Sequence, residues 1–157
     1  MWRIGKAITT SLDGDILQTA STHAGFLHDA TQKKFFRLEM LGTLLYSKEY
    51  SRTQKTNSYT VVYRDGHLDL QKFAVIQCFI ELSTSQQCSI WAQVSELVTT
   101  DMMCGSIHMP HLQCVNSVHS SQLIPVSWIV SKSVFIEING KACVAKPLHD
   151  FCIDLSS

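Results

Sequence analysis

Cys104, His108, His111 and Cys114 fall within eleven residues, in the pattern Cys-x3-His-x2-His-x2-Cys. Thiolate and imidazole are ligand types that zinc prefers, and four of them complete a tetrahedral structural site. The spacing works against it. Structural sites join two separated ligand pairs, whereas four ligands this close must wrap the ion with one tight loop. Zinc therefore stands as the alternative reading, a small zinc-stabilised domain, and no other cofactor is indicated. The same cluster, or Cys143 or Cys152 with His149, sets a thiol beside an imidazole, the raw material of a cysteine-dependent enzyme. With six cysteines and seven histidines such pairs arise by chance, and no orienting third group or oxyanion site accompanies them. The sequence also holds no phosphate-cradling Gly-rich loop and no acidic constellation that would fix a catalytic metal. The chain reads as non-catalytic.

A second candidate is electrostatic. Between Lys33 and Arg64 there are seven bases and two acids, Glu39 and Glu49. Lys33, Lys34, Arg37, Lys48, Arg52 and Lys55 are the candidate nucleic-acid contacts, with Phe35, Phe36 and Tyr46 interleaved. Solvated strand edges also carry Lys and Arg. A third candidate is aromatic: Tyr59, Tyr63 and Trp91 lie on neighbouring expected strands and could converge on a cationic ligand, although aromatics on a β-rich chain usually serve packing.

The elements that must position these groups are strands. From His67 to Leu82 the even positions are apolar except Lys72, the period of two of a half-buried strand. Such a run exceeds the usual strand length, so a bend or bulge is expected near Gln71 and Lys72. Ser58 to Arg64 is rich in β-branched and aromatic residues and precedes Asp65-Gly66, which suits a tight hairpin turn. Ile90, Ala92, Val94 and Val98 mark a third antiparallel strand. Leu38 to Tyr46 reads as a first strand bulged at Gly42, and Ser133 to Lys146 as a hairpin closed by Asn139-Gly140. Val126 to Val130 is a short helical turn or strand entry, and residues 101 to 125 read as a long irregular loop.

Together these predict an all-β chain: a single small, strongly bent antiparallel sheet or barrel of about six strands, residues 36–157, behind a loose N-terminal arm, residues 1–35. At 157 residues and 45% hydrophobic content one domain can bury its core without disulfides. Thirteen basic and thirteen acidic residues give no global pull toward nucleic acid or an acidic membrane, so any such site is a local patch. The first 30 residues hold no apolar run of secretory or membrane-spanning length. An intracellular chain with free thiols is the expectation, with no membrane partner.

From Phe36 onward an ordered set of residues carries a resemblance: Gly42-Thr-Leu-Leu-Tyr46 with Ser47 and Tyr50, Asn57-Ser-Tyr-Thr-Val61, Pro110-His111, Ile124-Pro-Val126, Ile129, Lys132 and Val134-Phe-Ile136. Over about 120 residues the chain resembles the region that follows the transposase core in animal CACTA (EnSpm-like) DNA transposons. No single motif among them is specific. The resemblance implies a non-catalytic accessory domain of a transposase-like or chromatin-associated protein, a small barrel or bromo-adjacent-homology-like module. It also implies DNA or a protein such as a transposase core as partner, and the nucleus rather than the cytoplasm as location.

Overall fold

The computed structural model describes residues 2–5, 7–9, 31–50 and 59–145. Arg52, Lys55, His149 and Cys152, named above, lie outside the described residues. Twelve strands and one 3-10 turn make up the described chain. They are β1 (Trp2–Ile4), β2 (Ile8–Thr9), β3 (Thr31–Phe35), β4 (Arg37–Met40), β5 (Thr43–Tyr46), β6 (Thr60–Asp65), β7 (Leu70–Ser83), β8 (Cys88–Cys104), β9 (Ile107–Pro125), β10 (Ile129–Lys132), β11 (Val134–Ile138) and β12 (Lys141–Ala145). The 3-10 turn, Val126–Trp128, joins β9 to β10.

The fold is all-β and its strand pairs are antiparallel. A three-stranded sheet runs β1-β4-β5; a nine-stranded sheet runs β10-β6-β7-β8-β9-β12-β11, with β3 on β7 and β2 on β3. Three short strands thus fall within residues 1–35. The large sheet is not closed into a barrel, because its terminal members β10 and β11 pair with β6 and β12 and not with each other. The expectation of about six strands is too low because several segments divide. The alternation in β7 breaks at Gln77, where the register against β8 shifts between Ile76 and Cys78, and not at Gln71 and Lys72 as expected. The first half of β7 pairs with β6 and the second with β3, so one long strand serves two neighbours.

Local chemistry explains two further departures. Leu38 to Tyr46 is a hairpin and not one bulged strand: Met40 pairs with Thr43, and Leu41 and Gly42 both take positive φ, 50° and 75°. That is the conformation a two-residue type I′ turn demands, and its twist matches that of the strands it joins. Asp65-Gly66 is not a two-residue turn. Asp65 pairs with Leu70 across a four-residue connection, and the Asp65 carboxylate accepts from the His67 N–H at 2.9 Å and the Leu68 N–H at 3.3 Å. Trp128 packs over this turn so closely that a Cβ on Gly66 would sit 3.0 Å from the indole ring. The Asn139-Gly140 hairpin forms as expected, with φ of 51° and 75° between Ile138 and Lys141.

The principal core gathers Leu38, Met40 and Leu45 of the small hairpin with Phe35, Val61, Tyr63, Ala74, Ile76, Phe79, Ala92, Val94 and Ile124 of the large sheet. Phe35 and Phe79 stack at 5.4 Å, worth about 0.5–1.5 kcal/mol beyond their burial. Backbone bonds seal the junction: Ser47 N–H donates to Phe36 at 3.0 Å and Lys48 N–H to Ile76 at 2.7 Å. A second cluster, Val62, Phe73, Leu97 and Val144, lies on other strand positions of the large sheet.

Candidate nucleic-acid interface

Residues 101–125 are not an irregular loop. They complete the long hairpin of β8 and β9, which turns at Gly105 and Ser106 between the paired Cys104 and Ile107. Gly105 has φ 63°, which suits the first central position of a II′ turn. This extension separates the expected zinc ligands. His108 pairs with Met103 and Cys114 with Thr100, so three strand positions, about 10 Å, lie between their partners. Ligands on one zinc ion sit about 2.0–2.3 Å from the metal. Among the described residues no three His, Cys, Asp or Glu side chains are grouped to hold a metal, so Cys104, His108, His111 and Cys114 do not converge. A two-residue turn lays them out along two strands where a wrapped loop would have gathered them.

The aromatic candidates are also spread. Tyr63 pairs with Lys72 and Trp91 with Ile80, eight positions apart on β7, or about 27 Å. Tyr63 is fully buried in the principal core. Its hydroxyl accepts from Gln122 Nε2 at 3.1 Å, and burial pushes the phenol well above its ordinary 10, with the charges of Glu96 and Asp65 adding to the rise. Trp91 is buried too, its indole N–H donating to Ser89 Oγ at 2.8 Å. Tyr59 stands at the entry to β6, where its carbonyl accepts from the Ile76 N–H.

The basic residues divide by strand parity. Lys33 and Lys34 are successive in β3 and point to opposite faces. Lys34 Nζ lies 2.6 Å from Glu49 Oε2 and 5.7 Å from the Phe36 ring. Burial acts to lower the Lys34 pKa, but the bond to Glu49 and nearby negative charge outweigh it, and the net shift is upward. The Arg37 guanidinium lies 5.1 Å from the Tyr50 ring centre. Tyr50 meets Tyr46 at 5.6 Å, and Lys132 Nζ lies 6.0 Å from Tyr46. A band of two rings flanked by cations, Arg37, Tyr50, Tyr46 and Lys132, thus runs from β4 to β10. Lys48 is exposed beside it in sequence, after β5.

No family model matches the chain, and comparison with curated proteins and with solved structures returns no match.

Sequence reasoning included Arg37 and Tyr46 but did not join them to Tyr50 and Lys132. Arg37, Tyr46 and Tyr50 lie close together in the chain, and the type I′ turn at Leu41-Gly42 aligns their segments. Lys132 arrives from β10 of the large sheet, which pairs with β6 and not with β5, so the packing of the two sheets brings it near Tyr46. Burial lowers its pKa, as expected for an ammonium taken partly out of water with no acidic partner among the described residues. Cation–π contacts at partly exposed sites are worth about 0.5–1 kcal/mol, so the band orients its cations without neutralising them.

Proposed function

We propose that this chain is a non-catalytic binding module that contacts DNA through the Arg37–Tyr50–Tyr46–Lys132 band, with Lys33, Lys34 and Lys48 as flanking charge. One observation carries the reading: partly exposed cations are held against aromatic faces, with no carboxylate in ion-pair range among the described residues, leaving guanidinium and ammonium donors for phosphate oxygens. Arg52 and Lys55 belong to the same basic segment of the sequence and lie outside the described residues. The strong bend expected from the sequence fits this role, because a curled open sheet offers a rigid outer surface on which to mount such a band. The resemblance to the accessory region of CACTA-type transposons supports the same assignment, with a transposase-like or chromatin-associated assembly and the nucleus as setting.

The test is binding of the full chain to a labelled generic duplex at several salt concentrations, beside an Arg37→Ala/Lys48→Ala/Lys132→Ala variant. Each phosphate contact adds about 0.9 to the slope of log affinity against log salt, so the variant should bind more weakly with a slope shallower by about two to three. Binding that is flat with salt, or equal in the variant, would discard the reading.

A protein partner is the second reading, favoured by the β8–β9 hairpin. Near its turn Met103, Ile107 and Met109 are exposed, a group of apolar side chains of the kind interaction surfaces present. Membrane attachment is not part of the proposal; among the described residues no helix is long and apolar enough to cross a bilayer.

A further inference from the structure

Cys114, separated from its expected zinc partners, meets a different sulfur. In the β9–β12 ladder it stands directly opposite Cys143, and directly opposed side chains lie on one face of a sheet. Burial raises the Cys143 thiol pKa above its ordinary value, and the neighbouring Cys114 thiol adds to the rise. On the other side of β9, Cys114 pairs with Thr100, two residues before Met102 on β8, and the register shifts between Asp101 and Met102. The distance places Met102 at the cluster: Cys143 Sγ lies 3.9 Å from Met102 Sδ. Three adjacent strands therefore place two thiols and a thioether around one point. Cys143 is fully buried, while Cys114 and Met102 are partly exposed, so the cluster has a sheltered floor and an open side.

We propose that Met102, Cys114 and Cys143 form a three-coordinate site for a soft monovalent d10 cation, Cu(I) or its analogue Ag(I). Thiolate and thioether ligands select such ions. The spacing suits them as well: metal–sulfur bonds of about 2.3 Å in a trigonal plane put the sulfurs about 4 Å apart, close to the 3.9 Å found between Cys143 and Met102. Zinc is poorly served, because it asks for four tetrahedral ligands and the described residues offer no third His, Cys, Asp or Glu at this point. Binding involves no redox step. The cation replaces the two thiol protons, which pass to solvent, and the thioether adds its lone pair without losing a proton. The site then carries one net negative charge, and Lys141, whose charge acts on the Cys143 thiol, lies on the same strand to balance it.

The experiment is an anaerobic titration of the fully reduced full-length chain with cuprous ion, in competition with the chromophoric chelator bicinchoninate. Wild type should take up one ion per chain ahead of any weaker binding at the remaining cysteines. Met102→Leu, nearly volume-conserving, should keep the unliganded thermal midpoint yet weaken that first ion at least about tenfold. Cys114→Ser and Cys143→Ser should each abolish it, whereas a Cys88→Ser/Cys104→Ser variant should retain it. X-ray absorption should show three sulfurs at about 2.3 Å. An unchanged first affinity in Met102→Leu, its loss in Cys88→Ser/Cys104→Ser, or displacement of the cuprous ion by equimolar zinc would each overturn the proposal.

Discussion

Ser133 Oγ donates to the Ala145 carbonyl at 2.7 Å, while the Ser133 backbone N–H donates to Thr60 at 2.9 Å. Ser133 is the one residue between β10 and β11, the two ends of the strand order in the large sheet. A single buried serine therefore ties β6 to β12 where the run changes neighbours. Ser133→Ala leaves the Ala145 carbonyl short of its donor and should cost about 1 kcal/mol in urea unfolding. Ser133→Pro, which removes the N–H as well, should cost clearly more. Equal losses in the two variants would show that the backbone bond contributes little.

Tyr63→Phe tests the buried hydroxyl that accepts from Gln122. The variant should lose about 1–2 kcal/mol, since Gln122 keeps its amide without the partner. The folded phenol pKa lies above the unfolded one, so this contribution is complete below the unfolded pKa and is lost as pH rises beyond it. The difference phenolate absorbance between wild type and Tyr63→Phe should thus appear only with global alkaline unfolding.

Asp65 gives the opposite dependence. Burial alone would raise its carboxyl, but the N–H groups of His67 and Leu68 and the Lys72 ammonium hold it below the ordinary 3.8. Its contribution is complete above the unfolded pKa and is lost as pH falls through the folded one. Asp65→Asn keeps an acceptor oxygen and removes only the charge. Wild type and variant should differ in stability at neutral pH and converge as pH falls below the ordinary 3.8 and through the lowered folded pKa; a gap that persists in acid would assign the effect to geometry.

Thiol reactivity should follow burial. Cys78 is fully buried, its Sγ lies 3.2 Å from Gln93 Oε1, and burial pushes its pKa up to about 11, so little of it is thiolate at neutral pH. Cys88 and Cys104 are exposed. Timed alkylation read by peptide mass spectrometry should label Cys88 and Cys104 well before Cys78. Early labelling of Cys78 would mean that β7 opens readily.

The hydroxyls of Ser47 and Ser131 are buried without a hydrogen-bond partner among the described residues. Removing an unsatisfied buried hydroxyl relieves its desolvation cost, so Ser47→Ala and Ser131→Ala should be neutral or stabilise by up to about 1–2 kcal/mol. Destabilisation of that size in thermal unfolding would point to partners for these hydroxyls.

The sequence by itself determined what depends on neighbours along the chain. Alternation over Leu70 to Leu82, β-branched enrichment before Asp65 and the Asn139-Gly140 turn place strands and a hairpin, because side-chain parity and positive φ are local properties. The same local signals misread Leu41-Gly42 as a bulge, since one glycine suits both a bulge and a turn. They also could not see that 101–125 is paired, because its polar and apolar residues follow no single parity across three register shifts. Tertiary structure alone decided which distant groups meet. Cys114 faces Cys143, Tyr46 lies near Lys132, and Ser133 spans β6 and β12 because strand pairing and the packing of one sheet on the other are set by the burial of whole faces, to which residues far apart in the chain contribute jointly.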